Sequence, residues 1–149
     1  MNKNVNELKH KFTNTLMKSG NKKTVEKVLI KSFKLIQKLN RKNNKNLIKN
    51  SIINSTLTFK LSKQSKKKGK RKLNKEIPSF IKKDTTRTLL ALNCLVTSAS
   101  KNNEINHFYK KLSQEILDSS FNKGKAIEKK NEIQKQVLMQ KRYLLNFRW

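Results

Sequence analysis

Apolar residues recur every three to four positions along the first part of the chain, a spacing that predicts amphipathic helices. A first stripe runs through Val5, Leu8, Phe12 and Leu16. A second stripe is formed by Val25, Val28, Leu29, Phe33 and Ile36. The polar sequence Ser19-Gly20-Asn21 separates the two stripes and predicts that one helix ends there and another begins.

An alternating pattern further along predicts a β-hairpin. Leu57, Phe59 and Leu61 alternate with polar residues, and the return stretch contains Ile77, Pro78, Phe80 and Ile81. Between them, KQSKKKGKRKLNK (Lys63 to Lys75) places eight positive charges in thirteen residues around Gly69. We expect a ribbon arm at about residues 57–81, in which Pro78 is tolerated because a two-stranded ribbon has only edge strands. The alternative is a disordered loop.

One more helix is predicted before the hairpin and another directly after it. The polar run NRKNNKN, from Asn40 to Asn46, predicts a loop that leads into the third helix, which carries Ile48 and Ile52. Asp84 is the predicted N-cap of the fourth helix. The sequence of this helix, TRTLLALNCLVTSA, is apolar around most of its circumference, which predicts a place at the centre of a bundle.

Two further stripes predict the last helices. The fifth helix carries Phe108, Leu112 and Ile116 and ends at the sequence NKG, where Gly124 is predicted to follow the C-cap. The sixth carries Ile127, Ile133, Val137 and Tyr143. The whole pattern predicts a mainly α fold in one domain covering residues 1–149, a six-helix bundle with a protruding basic β-ribbon between the third and fourth helices.

The charge composition indicates a polyanionic partner. The chain has 37 Lys and Arg against 9 Asp and Glu, a formal charge of +28. Leu, Ile, Val and Phe make up 41 of its 149 residues, more than the roughly 20% below which a highly charged chain is expected to be disordered. A folded domain this basic has the electrostatic character of a nucleic-acid binder. A membrane surface, an acidic protein or packaged DNA would suit the same charge, so charge alone leaves these partners open.

Candidate catalytic and metal-binding groups are sparse. Cys94 is the single cysteine, which excludes a disulfide framework or zinc cluster within the chain, and its apolar neighbours predict a core position. His10 and His107 lie on different predicted helices, and neither a GxxxxGK[ST] loop nor a GxGxxG motif is present. No apolar run reaches the roughly 18 residues of a bilayer span, and the first residues lack the apolar region of a secretory signal. We expect no enzymatic activity, cofactor, metal, small-molecule substrate or membrane contact.

The basic residues gather at the ends of predicted elements. Lys22 and Lys23 stand at a helix start, where cations oppose the macrodipole unless a phosphate binds both the N–H groups and the ammonium ions. Similar groups flank the fourth helix and the last loop. The predicted phosphate-contacting residues are Lys22, Lys23, Lys63, Lys66, Lys67, Lys68, Lys70, Arg71, Lys72, Lys75, Lys82, Lys83, Arg87, Lys123, Lys125, Lys129 and Lys130. Three helix-end clusters and a ribbon tip favour a polyanion of fixed shape.

Three segments, taken in order, resemble a known family. FTNTLMKSGNKKTVEK, from Phe12 to Lys27, is similar to the family pattern F-x-N-x-L-M-x-x-G-K-K-x-T-x-E. LSQEILDSSFNKGKAIEKKNEI, from Leu112 to Ile133, resembles L-x-x-E-L-x-D-A-x-x-N-K-G-x-A-V-x-K-x-x-D-V. The terminal Phe147-Arg148-Trp149 stands where the family has Y-R-W. Over nearly its whole length the chain resembles ribosomal protein seven of the small subunit, in its bacterial and organellar form.

The resemblance implies a structural role in translation. The family has a bundle of six helices with a β-ribbon arm, binds the 3′ major domain of small-subunit rRNA and helps to nucleate head assembly. Its ribbon lies near the mRNA exit path and the exit-site tRNA. For this chain the resemblance implies that the basic residues above contact rRNA, with head and platform proteins as neighbours. Residues near the chain end are expected to dock on rRNA or on a neighbouring protein, namely Tyr143, Phe147, Arg148 and Trp149.

Composition also bears on the compartment. The chain has 32 Lys against 5 Arg, together with 19 Asn, and Lys and Asn have A/T-rich codons. This bias indicates an AT-rich genome such as that of an organelle. We expect a mitochondrial small-subunit protein encoded in the organelle, with a plastid or a bacterial cytoplasm as alternatives.

Two other classes of function compete with the ribosomal one. A nucleoid-type DNA-packing protein also needs a basic ribbon arm, but such proteins usually dimerise, and the family resemblance disfavours this class. A membrane-surface or interaction module would need a basic amphipathic helix with bulky aromatic residues on its apolar face. In this chain the densest charge lies off the predicted helices.

Overall fold

The computed structural model describes residues 2–39, 44–68, 71–101 and 107–140, and for residues 2–6, 44, 63–68 and 71–75 it describes only the backbone. Over these ranges the chain forms six helices and two antiparallel strands, so the prediction of a mainly α fold is confirmed. The helices are α1 (Asn2–Leu16), α2 (Lys22–Leu39), α3 (Asn44–Ser55), α4 (Asp84–Ser100), α5 (Phe108–Ser120) and α6 (Lys125–Met139), and the strands are β1 (Phe59–Lys68) and β2 (Arg71–Phe80). None of the helices in the described part of the chain combines the length and apolar character that a bilayer crossing requires.

Helices α4 and α5 form the centre of the fold. Leu92 and Leu95 of α4, like Leu112 and Ile116 of α5, have no exposed surface. Helix α4 packs against α1, α3, α5 and α6, while α5 also packs against α2 and α3. The apolar circumference of α4 is therefore explained by neighbours on several sides, as the sequence predicted.

Residues predicted to be core are found there. Cys94 is buried, and its thiol donates to the carbonyl oxygen of Ala126 with a distance of 3.6 Å. Burial raises the pKa of this thiol above its usual range, as expected for an inert core cysteine. Phe12 is buried and meets Phe33 edge to face, with ring centroids 6.3 Å apart. Phe108 packs partly buried against the same cluster.

The turn between α1 and α2 lies where the sequence predicted it. Ser19 and Gly20 have φ values of 52° and 76°, and the Asn21 amide donates to the carbonyl oxygen of Lys18 at 3.2 Å. Positive φ at both central residues is the signature of a type I′ turn. A Cβ at position 20 would meet nothing within 4 Å, so the backbone conformation, not lack of space, favours glycine here.

Two predicted helix starts are wrong by a few residues. Helix α3 begins at Asn44, so the last three residues of the predicted loop are helical, while residues 40–43 lie outside the described ranges. Helix α4 has Lys83 at its N-cap position, and Asp84 is the first helical residue. The amides of Thr86 and Arg87 both donate to the carbonyl oxygen of Lys83, which fixes this boundary. Asp84 still favours the helix, because its negative charge lies in the first turn.

In the connection between α5 and α6, Asn122 takes the place after the C-cap that the sequence predicted for Gly124. Asn122 has φ 59°, and its amide donates to the carbonyl oxygen of Ser119 at 3.2 Å. The Lys123 amide donates to the carbonyl oxygen of Asp118 at 2.8 Å. These two bonds form a Schellman motif in which Asn122, tolerant of the left-handed conformation, follows the C-cap. Gly124 is instead the N-cap of α6, so its predicted place is wrong.

The two strands pair in register from Phe59 opposite Phe80 to Lys68 opposite Arg71. Pro78 stands opposite Leu61 and is less than 2% exposed. Its missing N–H is tolerated because each strand of a two-stranded sheet has one unpaired edge. Gly69 and Lys70, at the predicted tip, lie outside the described residues.

Candidate nucleic-acid interface

The root of the ribbon is fixed to the start of α4. Phe59 and Phe80, opposite each other on the two strands, meet with ring centroids 5.8 Å apart and an interplanar angle of 67°. The guanidinium of Arg87 lies 5.1 Å from the Phe80 centroid, and its Nε donates to the carbonyl oxygen of Ile81 at 2.9 Å. Arg87 therefore has a role within the fold that sequence reasoning missed, beside its predicted phosphate contact.

The far half of the ribbon places like charges opposite each other. The register pairs Lys67 with Lys72 and Lys68 with Arg71. Like charges directly opposite destabilise an antiparallel pair, whereas an anion between them removes the penalty. The other predicted residues on the strands, Lys63, Lys66 and Lys75, lie opposite Glu76, Leu73 and Gln64. Both like-charged pairs thus stand at register positions near the end of the ribbon farthest from α4.

The start of α2 carries the first helix-end cluster. Lys22 is the first residue of the helix, Lys23 is the second, and both are exposed. No acidic residue lies in the first turn to complement the helix dipole. Lys22 also lines a polar depression shared with Lys9, His10 and Glu26. The predicted position of the two lysines is confirmed, and their contact with phosphate stays a prediction.

The start of α4 carries the second cluster. Lys82 and Lys83 are exposed, and only Ile81 separates them from the strand that ends at Phe80. No side-chain hydrogen bond caps this helix at Lys83. Arg87 therefore brings the ribbon and this cluster together. The other two clusters lie elsewhere, at the start of α2 and at the α5–α6 junction.

The four lysines of the α5–α6 junction have different surroundings. Lys123 and Lys125 are exposed on either side of Gly124. Lys129 is half-buried, and its Nζ donates to the hydroxyl of Thr97 at 2.8 Å. Lys123 and Lys125 both reach solvent, and the hydrogen bond to Thr97 ties Lys129 to α4.

Lys130 is used within the fold. Its Nζ donates to the carbonyl oxygen of Asn54 at 2.6 Å, next to the end of α3. The Asn54 side-chain amide in turn donates to the carbonyl oxygens of Ser119 and Ser120, at 3.0 and 3.1 Å. A cation and an amide thus satisfy carbonyl groups at two helix C-termini, which a helix leaves without internal partners.

Glu115 is a structural residue that sequence reasoning missed. Its side chain is 3% exposed, and its Oε1 accepts a hydrogen bond from the amide of Ala126 at 2.7 Å. Burial raises the pKa of this carboxyl above its usual range. The apolar stripe of α5 could have predicted this burial, because Glu115 lies between Leu112 and Ile116 on the buried face of the helix.

No catalytic constellation is found among the described residues. An open groove of about 470 Å³ between α1, α2, α4 and the start of α5 is lined by apolar and uncharged polar side chains, with Lys18 its one titratable group. No group of three His, Cys, Asp or Glu side chains in the described ranges is placed to share a metal ion. His107 stacks on Tyr109, with ring centroids 5.5 Å apart. The predicted docking residues Tyr143, Phe147, Arg148 and Trp149 lie outside the described ranges.

Comparison with known families identifies what kind of protein carries these features. The family described as ribosomal protein S7p/S5e matches residues 1–141. The chain belongs to this family. Ribosomal protein S7p/S5e is a family of structural ribosomal proteins and not of enzymes, so the predicted family and the prediction of a non-enzyme are both confirmed.

One relative supports the same assignment to the small subunit. The chain is similar to the small ribosomal subunit protein uS7m of Reclinomonas americana, with 29% identity over 139 residues. The match covers 93% of this chain and 83% of the relative. A structural role in the small ribosomal subunit follows for this member of the ribosomal protein S7p/S5e family.

Proposed function

We propose that the chain binds the 3′ major domain of small-subunit rRNA and helps to nucleate the assembly of the subunit head. Its ribbon lies near the mRNA exit path and the exit-site tRNA, and its protein neighbours are those of the head and platform. Membership of the ribosomal protein S7p/S5e family supports this function, because the family's members are structural parts of the small subunit.

The observation that carries the proposal is the placement of exposed lysines at helix starts. Lys22 and Lys23 begin α2, Lys82 and Lys83 precede α4, and Lys125 begins α6. The N-cap residue of α4 makes no side-chain capping bond, whereas at α6 the amide of Ala126 already donates to Glu115. A lysine at a helix start is unfavourable alone, but a phosphate there accepts from backbone N–H groups and pairs with the ammonium ion.

The charges of the ribbon also favour RNA phosphate as the ligand. The ribbon's register places two pairs of cations opposite each other, Lys67 with Lys72 and Lys68 with Arg71, and a bound polyanion would offset the unfavourable pairing. Lys binds phosphate as a point charge and lacks the bidentate fork of Arg. The ribbon is therefore suited to the RNA backbone more than to the base edges.

The compartment we propose is the mitochondrion, with the protein encoded in the organelle. The relative from Reclinomonas americana is designated uS7m, in which the suffix marks a mitochondrial protein. The excess of Lys over Arg and the 19 Asn residues fit an AT-rich organellar genome.

The test is a titration of the full chain with a transcribed 3′ major domain of small-subunit rRNA at increasing salt. If six to eight phosphates are neutralised, log K should fall against log salt with a slope of about −5 to −7, because each contact releases condensed counterions. An RNA duplex of equal length from another rRNA domain is the matched competitor, and it should bind more weakly.

Two results would count against this function. A slope shallower than about −2 would mean that few phosphates are contacted. Equal affinity for random duplex DNA would favour a nucleoid-type packing protein instead. Retention of the protein on small subunits after a high-salt wash gives an independent check on assembly.

A further inference from the structure

Glu115 belongs to α5, yet its carboxylate lies at the start of α6. Its Oε1 is 2.7 Å from the amide nitrogen of Ala126, the second residue of α6. That amide is one of the first-turn donors that a helix cannot satisfy internally. The N-cap residue, Gly124, has no side chain with which to accept from it. Glu115 thus supplies, from a neighbouring helix, the acceptor that Ser, Asp or Asn provides at an ordinary N-cap.

The backbone of the junction approaches α5 closely enough to make this possible. A Cβ at position 124 would lie 3.0 Å from the Cβ of Asp118 and 3.1 Å from Oε1 of Glu115. Glycine is therefore required twice, once for its φ of 94° and once for the space that the carboxylate occupies. A side chain there would press on both Asp118 and the carboxylate of Glu115.

Lys123 and Lys125 are held between these contacts. On one side, the amide of Lys123 donates to the carbonyl oxygen of Asp118 in the Schellman motif. On the other side, the Glu115 bond fixes Ala126, the residue after Lys125. Both lysine side chains are exposed. The junction is thus a short, doubly anchored segment that presents two cations to solvent.

The charge of Glu115 has opposing consequences at the start of α6. The helix dipole and the ammonium group of Lys125 favour a carboxylate there. A carboxylate beside phosphate-binding lysines repels the ligand, and its burial is unfavourable for the ionised form. Its presence is explained if the hydrogen bond to Ala126 matters more than the charge.

We propose that Glu115 is a positioning residue of the RNA interface, which caps α6 from α5 and so directs Lys123 and Lys125 toward phosphate. The identity of the ligand, an RNA phosphate, rests on the proposed function. The capping itself does not depend on RNA, which allows the two claims to be tested separately.

Two substitutions at position 115 distinguish the effect of side-chain length from the effect of charge. Glu115→Gln keeps the length of the side chain and an acceptor oxygen but removes the charge. Glu115→Asp keeps the charge but is one methylene shorter, so it cannot reach Ala126 from the same backbone. If position matters, the Gln variant should bind rRNA at least as tightly as the parent, and the Asp variant should bind more weakly. If charge alone matters, the Asp variant should match the parent and the Gln variant should bind more tightly.

Glu128→Gln is the matched control. Glu128 is exposed in the first turn of α6, so its replacement removes the same charge without removing the cap. We expect this variant to bind as tightly as the parent or more tightly. For Glu115→Asp we expect roughly a fivefold to tenfold loss of affinity and a salt slope shallower by about one to two, as expected when one or two fewer phosphates are bound. Parent-like affinity and slope in the Asp variant, or an equal loss in the Gln variant, would overturn the proposal.

Hydrogen exchange at the Ala126 amide tests the cap in the full chain without RNA. Exchange should be slow in the parent and in Glu115→Gln and faster in Glu115→Asp, at temperatures where all three have the same circular dichroism. Slow exchange in the Asp variant would overturn the proposal even if the parent binds rRNA as expected. If the parent failed to bind rRNA, the proposed function would be wrong. Hydrogen exchange at the Ala126 amide would still show whether Glu115 caps α6. Should the Asp variant not fold, Gly124→Ala repeats the comparison, because its Cβ would lie 3.1 Å from Oε1 of Glu115 and would also be strained at a φ of 94°.

Discussion

The guanidinium of Arg87 lies over the ring of Phe80, 5.1 Å from its centroid, and so joins the end of β2 to the first turn of α4. The hydrogen bond from Nε to the carbonyl oxygen of Ile81 strengthens the same joint. A residue that is 28% exposed and lies outside the ribbon therefore helps to hold the root of the ribbon against α4.

Replacing Arg87 with Ala should destabilise the isolated protein by about 1–3 kcal/mol, because the variant lacks the cation–π interaction and the charged hydrogen bond. Lys83→Ala is the control, since Lys83 is exposed and should change stability by less than about 0.5 kcal/mol while weakening rRNA binding. Thermal unfolding and rRNA titration of both variants measure the difference. An Arg87→Ala variant as stable as the parent would contradict the structural role.

Neutralising the ribbon tip should leave the fold intact and weaken RNA binding. The substitutions replace Lys66, Lys67, Lys68, Lys70, Arg71 and Lys72 with Gln. Relief of the repulsion between opposite cations should stabilise the free protein slightly, as read by circular dichroism during heating. The slope of log K against log salt should become shallower by nearly one for each phosphate that the variant no longer binds.

Exposed lysines away from the tip provide the comparison for that variant. Lys34 and Lys38 lie well beyond the start of α2, and their replacement with Gln should change rRNA affinity only slightly. If the tip variant kept the parent's affinity and slope, its charges would be merely solvated. In assembled subunits, the tip variant should reduce the retention of exit-site tRNA more than it reduces incorporation of the protein into the particle.

Glu115→Gln should change how stability depends on pH. Burial is the main cause of the raised pKa of Glu115, with the Ala126 amide opposing it. Among its charged neighbours, Asp118 and Glu128 raise this pKa and Lys125 lowers it. A carboxyl whose pKa is higher in the folded state contributes stability that is complete below the unfolded pKa and is lost as pH rises through the folded pKa.

The parent should therefore lose stability relative to the Gln variant as pH rises from about 4, near the pKa of an unfolded Glu. Melting temperatures of both proteins across a pH series measure the difference. A difference that stays constant, or that moves in favour of the parent as pH rises, would argue against this titration.

Removing Phe147 to Trp149 should leave the melting temperature of the isolated protein almost unchanged and weaken its incorporation into small subunits. The reason is that this segment follows the apolar stripes of the helices and is expected to dock on rRNA or on a neighbouring protein. Unfolding of the free protein and cosedimentation with small subunits measure the two effects. A large loss of stability in the free protein would place these residues in the core instead.

The helices and the ribbon were predictable because each rests on a local period. Phe12 on α1 and Leu112 with Ile116 on α5 recur at helical spacing, and all three are buried. Leu57, Phe59 and Leu61 alternate, and the strand β1 begins at Phe59. The position of α4 at the centre followed from its apolar circumference.

The finer contacts were not predictable, because they join residues distant in sequence. Arg87 was interpreted as a phosphate ligand, and its contact with Phe80 exists only because the ribbon folds back to α4. Gly124 was placed after the C-cap of α5 because glycine is commonest there, whereas Asn122 holds that conformation. Why glycine is needed at 124 becomes clear only from its distance to Glu115.

Lys123 and Lys130 are chemically alike but differ in their availability to a reagent. The Lys123 amine is exposed, whereas the Lys130 amine is part-buried and donates to the carbonyl oxygen of Asn54. An acylating probe should therefore modify Lys123 readily in the free protein and poorly in the subunit, and should modify Lys130 poorly in both. The formal charge of +28 counts the two equally. The pattern of labelling would separate the cations that hold helix ends together from those left for the ribosome.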